Sequence, residues 1–150
     1  MPLTHTVSAD AVIPASADRT YRIIADYRSG HPRILPPEFS ALTVERGGVG
    51  DGTLIRFRMR LLGSTRTYRA AVTEPERGRV LVETDLETNG AVTTFTVDPV
   101  DGAAQSRVNI STSLPVRSGL AGKIERLVMT RLLRPIYQRE LEILASVAAG

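Results

Sequence analysis

The sequence predicts an α+β fold: a curved antiparallel sheet of seven strands wrapped around a long C-terminal helix, with two short helices between strands 1 and 2. Three observations carry this expectation. From Phe39 to Val116 apolar residues tend to recur at every second position, and Gly, Pro and Asn-Gly turns break the stretch into consecutive segments, as in an antiparallel meander. After Ser118 the apolar period becomes helical and stays so to about Val147. The length of 150 residues, with 42% hydrophobic and 23% charged side chains, suits a single globular domain over 1–150.

Each element has a local reason. Thr4–Ile13 is β-rich and ends at Pro14. Ser16 is placed to cap a helix running to about Tyr27, in which Ala17, Tyr21, Ile24 and Ala25 recur at helical spacing and Asp18 meets the positive end. Ser29-Gly30 breaks that helix, and His31–Pro37, bounded by prolines, forms a second helical turn. The meander strands are Phe39–Arg46, Thr53–Leu62, Thr65–Glu74, Arg79–Thr88, Ala91–Asp98 and Gln105–Val116. In the clearest of them Ile55, Phe57, Met59 and Leu61 alternate with Arg56, Arg58 and Arg60. Tyr68, Ala70 and Val72 share a face of the next strand. In Arg79–Thr88 the inner face is assigned to Val80, Val82, Thr84 and Leu86, the outer face to Leu81, Glu83, Asp85 and Glu87. Asn89-Gly90 reads as a tight hairpin turn, because both residues tolerate positive φ. Val108, Ile110, Thr112 and Leu114 form the last apolar row. The terminal helix then presents Leu120, Ile124, Leu127, Val128, Leu132, Ile136, Leu141, Ile143 and Leu144, and Pro135 at its middle favours a kink.

Seven strands spaced ~4.8 Å apart span about 30 Å, whereas a helix with its side chains is only ~10–12 Å thick. The sheet has to curl around the helix, and such a grip leaves a cavity suited to a ligand.

Composition excludes several classes. No cysteine means no disulfide, thiol nucleophile or cysteine-held metal, and two histidines, His5 and His31, cannot build a multi-histidine metal cage. Net charge is +3, from 19 basic residues (all arginine except Lys123) against 16 acidic ones, too balanced for a nucleic-acid binder. No apolar run reaches the ~20 residues of an integral membrane segment. The N-terminal stretch lacks the basic and apolar regions of a secretory signal, so a cytoplasmic location is the expectation. P-loop, GxGxxG, GxSxG and HExxH motifs are missing, no catalytic triad can be drawn, and no cofactor or metal is called for.

Three stretches carry a family resemblance: Ile13-Pro14-Ala15-Ser16-Ala17-Asp18 with Tyr21 and Asp26, then His31-Pro32-Arg33-Ile34-Leu35-Pro36, and Gly50-Asp51-Gly52-Thr53 entering a strand. With the element order, they make the chain resemble the START-like helix-grip superfamily (SRPBCC) along essentially its whole length, nearest its polyketide cyclase/dehydrase and lipid-transport branch. Ile34 stands where many members carry tryptophan. The resemblance implies a cavity, and members include lipid carriers, hormone receptors and aromatic-polyketide cyclases.

The residues assigned to that cavity are Phe57, Met59, Tyr68, Thr84, Thr93, Phe95, Thr112, Leu114, Ile124, Val128 and Tyr137, an apolar lining with a few hydroxyls. Tyr68 and His31 are the candidate catalytic groups. A tyrosine hydroxyl facing the cavity can bond a ligand carbonyl or protonate an enolate, and a histidine at the mouth can act as general acid or base. The alternatives are a core tyrosine and a surface turn histidine. Arg56, Arg58 and Arg60 fall on the convex face, where Glu45, Glu83, Asp85 and Glu87 offer cross-strand ion pairs; Arg66 shares the parity of Tyr68. Arg117 to Arg134 is a basic amphipathic stretch that suits transient contact with an anionic membrane. The expected partner is a small hydrophobic or amphipathic molecule, such as a lipid or polyketide-like compound. Binding or transport is the first reading and aldol cyclisation with dehydration the alternative, with monomer and homodimer both open.

Overall fold

Alternation along the meander folds into seven antiparallel strands that pair in the order β1-β7-β6-β5-β4-β3-β2. The computed structural model describes residues 3–150. The strands are β1 (Thr4–Ile13), β2 (Phe39–Arg46), β3 (Leu54–Leu61), β4 (Ser64–Glu76), β5 (Val80–Asp85), β6 (Val92–Pro99) and β7 (Ser106–Pro115). Two α-helices, α1 (Ala17–Ala25) and α2 (Gly119–Ala149), complete the chain with two 3-10 turns: His31–Arg33, which stands for the second short helix, and Asp101–Ala103 between β6 and β7.

Local chemistry explains the joints that position the cavity. The Ser16 hydroxyl accepts from the Arg19 amide at 3.2 Å and starts α1. Ser118 precedes α2 but makes no side-chain capping bond; instead the Glu125 carboxylate accepts from the Arg117 amide at 2.9 Å and its Nε at 3.0 Å. The helix runs on through Pro135. Between α1 and β4, Tyr21 donates to Glu74 at 2.7 Å while the Asp51 amide donates to the other oxygen at 2.8 Å. This clamps the Gly50-Asp51-Gly52 turn onto the sheet. Gly50 has φ +64, and a Cβ there would stand 2.2 Å from Glu74 Oε1, so only glycine fits. On β1, His5 Nε2 lies 2.7 Å from Thr130 Oγ1 and ties the strand to α2, a structural role.

The core runs along the concave face, from Val7 and Ile13 through Ile110, Val108, Phe95 and Leu81 to Val72 and Ile55, and is closed by Leu133, Ile136, Leu141 and Leu144 of α2. Ion pairs on the convex face join Glu45 to Arg56 at 3.0 Å and to Arg69 at 2.8 Å, and Arg69 to Glu87 at 3.0 Å. Glu83 and Asp85, expected on that face, turn inward instead.

The reason lies in one hairpin. A two-residue turn at Asn89-Gly90 would set Thr84 opposite Phe95, whereas Thr84 pairs with Val92. That is a slip of three positions, and an odd slip exchanges the two faces of a strand. Asp85 drives it: its carboxylate accepts from the amides of Glu87, Thr88, Asn89 and Gly90 and from the Thr88 hydroxyl, closing a wider loop. Val72 consequently faces Glu83 and Ala70 faces Asp85 across β4 and β5.

Candidate functional site

Between the sheet and α2 lies a cavity of about 140 Å³. An enclosed space of roughly 150 Å³ holds one benzene-sized group, so the interior takes a single ring or a short chain. Its walls come from β3 (Phe57, Met59, Leu61), β4 (Tyr68, Ala70), β6 (Thr93, Phe95), β7 (Thr112, Leu114) and α2 (Met129, Leu133, Tyr137). Aromatic packing stiffens one wall: Phe57 stacks on Tyr68 with ring centroids 5.5 Å apart, and Phe39 tilts against Phe57 at 5.8 Å.

Polar groups gather in the buried interior. His31 is 3% exposed, stacked on Tyr27 at 4.4 Å and edge-on to Phe95 at 5.5 Å. Its Nδ1 lies 2.7 Å from the Ile24 carbonyl, which can only accept, so Nδ1 carries a hydrogen and Nε2 is the nitrogen left for chemistry. Nε2 stands 3.7 Å from Glu83 Oε2, and the Tyr27 hydroxyl donates to that same oxygen at 2.5 Å. Burial, then the charge and hydrogen bond of Glu83, push the Tyr27 phenol well above its ordinary range, so it stays a neutral donor.

Glu140 faces the same cavity from α2. It is 3% exposed, and its Oε2 has no hydrogen-bond partner among the described residues. Burial, reinforced by the charge on Glu83, pushes its carboxyl well above the usual carboxylate range. Beside it the Tyr137 hydroxyl bonds Thr112 Oγ1 at 2.5 Å, and Thr112 bonds Thr93 Oγ1 at 2.7 Å. Burial pushes the Tyr137 phenol up to about 12, against the opposing hydrogen bond from Thr112. Among the described residues there is no group of three or more His, Cys, Asp or Glu side chains that could hold a metal.

A family model described as polyketide cyclase/dehydrase and lipid transport matches residues 4–149. The chain belongs to that family. Among solved structures, this polyketide cyclase/dehydrase and lipid-transport family member is similar to KanY, at 25% identity and a TM-score of 0.84 over 100% of this chain and 99% of that one. It also shares its fold with the Zhui aromatase/cyclase from Streptomyces sp. R1128, at 17% identity and a TM-score of 0.77 over 98% of this chain and 94% of that one. Norcoclaurine synthase from Thalictrum flavum, in a complex with dopamine and hydroxybenzaldehyde, has the fold too, at 18% identity and a TM-score of 0.72 over 99% of this chain and 88% of that one. No curated protein sequence matches the chain. No helix of the described residues is long and apolar enough to cross a membrane.

In this family member the structure brings together most of the residues assigned from sequence. Phe57, Met59, Tyr68, Thr93, Phe95, Thr112, Leu114, Tyr137 and His31 all line the cavity. Three do not. Thr84 turns to the convex side with the rest of its row because of the odd hairpin slip. Ile124 and Val128 are 55% and 37% exposed. A helix of 31 residues is roughly 46 Å long, while β1 and β7, at 10 residues each, reach roughly 34 Å. The first turns of α2 therefore overhang the sheet, and its cavity face begins at Met129, beside the His5–Thr130 tie. Arg66 lies within β4, opposite Met59 of β3, and is exposed rather than part of the cavity lining. Sequence reasoning missed Glu83, Glu140 and Tyr27. A glutamate within an apolar helical row was the available signal for Glu140; Glu83 had none, since its strand is amphipathic on neither face.

Proposed function

We propose that the cavity binds a small, mainly apolar carbonyl compound and moves protons on it, as in aldol cyclisation followed by dehydration. The convergence of Glu83, His31, Tyr27 and Glu140 in a buried pocket carries this reading. Burying carboxyl groups costs several kcal/mol that a passive apolar carrier has no reason to bear, and such perturbed clusters mark reactive sites. His31 Nε2 takes a proton from the carbon beside the ligand carbonyl, and Glu83 stabilises the imidazolium that forms. Tyr137 donates a hydrogen bond to the oxygen that becomes an enolate. The enolate carbon then attacks a second carbonyl. The alkoxide formed by that attack takes the proton back from the imidazolium, and in the dehydration the neutral imidazole removes a second proton from the same carbon and delivers it to the departing hydroxyl, which leaves as water. Tyr68, farther along the wall on its Phe57 stack, holds the ligand's outer polar group. Family membership and the fold shared with an aromatase/cyclase support the assignment.

The test is turnover of a short poly-β-ketone thioester, followed by mass spectrometry of the products. Substitutions His31→Ala and Glu83→Gln should each lower the cyclisation rate by about 100-fold, the scale of general acid–base catalysis, with product binding retained. Unchanged turnover in both variants would falsify the reading.

A second reading, carriage of a lipid with transient membrane contact, has its own support. Leu120, Ile124, Leu127 and Val128 are exposed on one face of the overhanging end of α2, beside the exposed Lys123, Arg126 and Arg131. Co-sedimentation with phosphatidylglycerol vesicles but not phosphatidylcholine vesicles, abolished by Leu127→Glu, is the expected result. Equal recovery with both vesicles would count against it.

A further inference from the structure

The charge inside the cavity runs opposite to that of the chain. The sequence carries a net +3, yet the lining holds Glu83, Asp85 and Glu140, with His31 as the one basic side chain among the described lining residues. Two of these carboxylates are already satisfied. Glu83 receives the Tyr27 hydroxyl, and Asp85 receives its own hairpin's amides. Glu140 is the exception, nine-tenths buried and more, aimed at the cavity, with Oε2 lacking any hydrogen-bond partner among the described residues.

An orphaned buried carboxyl in a native fold calls for a partner. Nothing in the lining supplies one, because neither lysine nor arginine reaches it. A cation carried in by the ligand would replace the proton that burial holds on Glu140, pairing with its carboxylate, and would offset Glu83 as well. An anionic ligand meets the opposite situation: its carboxylate or phosphate would face three carboxyl groups with no guanidinium to receive it.

We propose that this cavity selects an amine, a single-ring or short-chain amphiphile whose ammonium sits on Glu140 and whose apolar body lies among Phe57, Met59 and Tyr68. The proposal rests on the reading of the cavity as a ligand site and narrows the carbonyl substrate to one that also bears an amino group. It does not depend on turnover.

Calorimetric titration with three molecules of nearly equal shape tests it: phenylbutylamine, phenylbutanol and phenylbutyrate, at neutral pH. The amine should bind at least about tenfold tighter than the alcohol, the size of one charge-assisted hydrogen bond, and the butyrate should not bind measurably. In Glu140→Gln the amine should lose that advantage while the alcohol keeps its affinity. Glu140→Leu, which leaves a buried apolar side chain, serves the same purpose if the glutamine variant does not fold. Equal affinity for amine and alcohol overturns the proposal but leaves a ligand cavity standing, and so does an amine advantage that survives both substitutions. If none of the three binds and the neutral single-ring probe butylbenzene is also refused, the cavity reading falls with it, whereas butylbenzene binding alone overturns the amine proposal only.

Discussion

Tyr27 and Glu83 meet across the interior end of the cavity, the phenol donating to Oε2 at 2.5 Å, while His31 is stacked flat on the same tyrosine ring at 4.4 Å. One aromatic stack therefore delivers a hydroxyl and an imidazole to a single carboxylate. The residue that begins this arrangement, Tyr27, lies just past the end of α1, where its amide donates to the Gly48 carbonyl at 2.8 Å. The loop after α1 is thus held by backbone contacts that also orient a reactive group.

Tyr27→Phe keeps the stack and removes the hydroxyl. It should destabilise the protein by about 1–3 kcal/mol, because Glu83 stays buried without its donor. Urea unfolding of the two single variants and the Tyr27→Phe/Glu83→Gln double variant measures the coupling between them. A coupling of about 1 kcal/mol or more is expected for groups in one network; strict additivity would sink the pairing.

Glu140 sets a pH dependence with a definite sign. Its folded pKa is raised well above the ordinary 4.5, so the folded chain keeps a proton that the unfolded chain has lost. Stability from this group is therefore highest below 4.5 and declines as pH rises toward the folded pKa. Glu140→Gln should unfold at higher urea than the parent at neutral and alkaline pH, and the difference should vanish in acid. A gap between the two proteins that stays constant across pH would contradict this.

Asp85 is expected to act on the mouth of the cavity through its hairpin. Its carboxylate is held below the usual range, since the hydrogen bonds from the Thr88 hydroxyl and from the amides of Asn89, Glu87 and Thr88 outweigh a larger single penalty from burial. Asp85→Ala frees those amides and should cost about 1–3 kcal/mol. Hydrogen exchange read by mass spectrometry should show the segment from Glu87 to Gly90 exchanging faster, with β1 and β7 unchanged. Protection that persists in this segment would place the hairpin's stability elsewhere.

At Gly50, alanine would bring a Cβ to 2.2 Å from Glu74 Oε1 at a φ of +64. Gly50→Ala should lose about 1–3 kcal/mol through strain and a displaced Tyr21–Glu74 bond. Thermal unfolding checks the loss, and ligand affinity at low temperature should be retained, because the turn lies outside the cavity lining.

The fold was legible because its signals are short in range. Ile55, Phe57 and Met59 alternate with arginines, so β3 announces its inner face from three successive apolar positions. Ser16 and Asp18 likewise mark the start of α1. The site was less legible, and β5 shows why. With Val80 and Val82 on one face and Leu81 on the other, its apolar content does not choose a side; the hairpin closed by Asp85 does. His31 has the same character. Nothing beside it in sequence shows that the Ile24 carbonyl will hold its Nδ1 or that Tyr27 will cover its ring.

By itself, the sequence determined one antiparallel sheet, one long helix to fill it, and a mainly apolar cavity between them, because the periods of strands and helices are properties of neighbouring residues. Tertiary structure alone decided which groups enter that cavity. An odd slip in one hairpin carried Glu83 in and Thr84 out, and the overhang of α2 placed Tyr137 and Glu140 under the sheet while leaving Ile124 and Val128 beyond it. Strand register and helix overhang arise from contacts between segments far apart in the chain, and a one-residue change in register alone exchanges a strand's inward side chains for its outward ones.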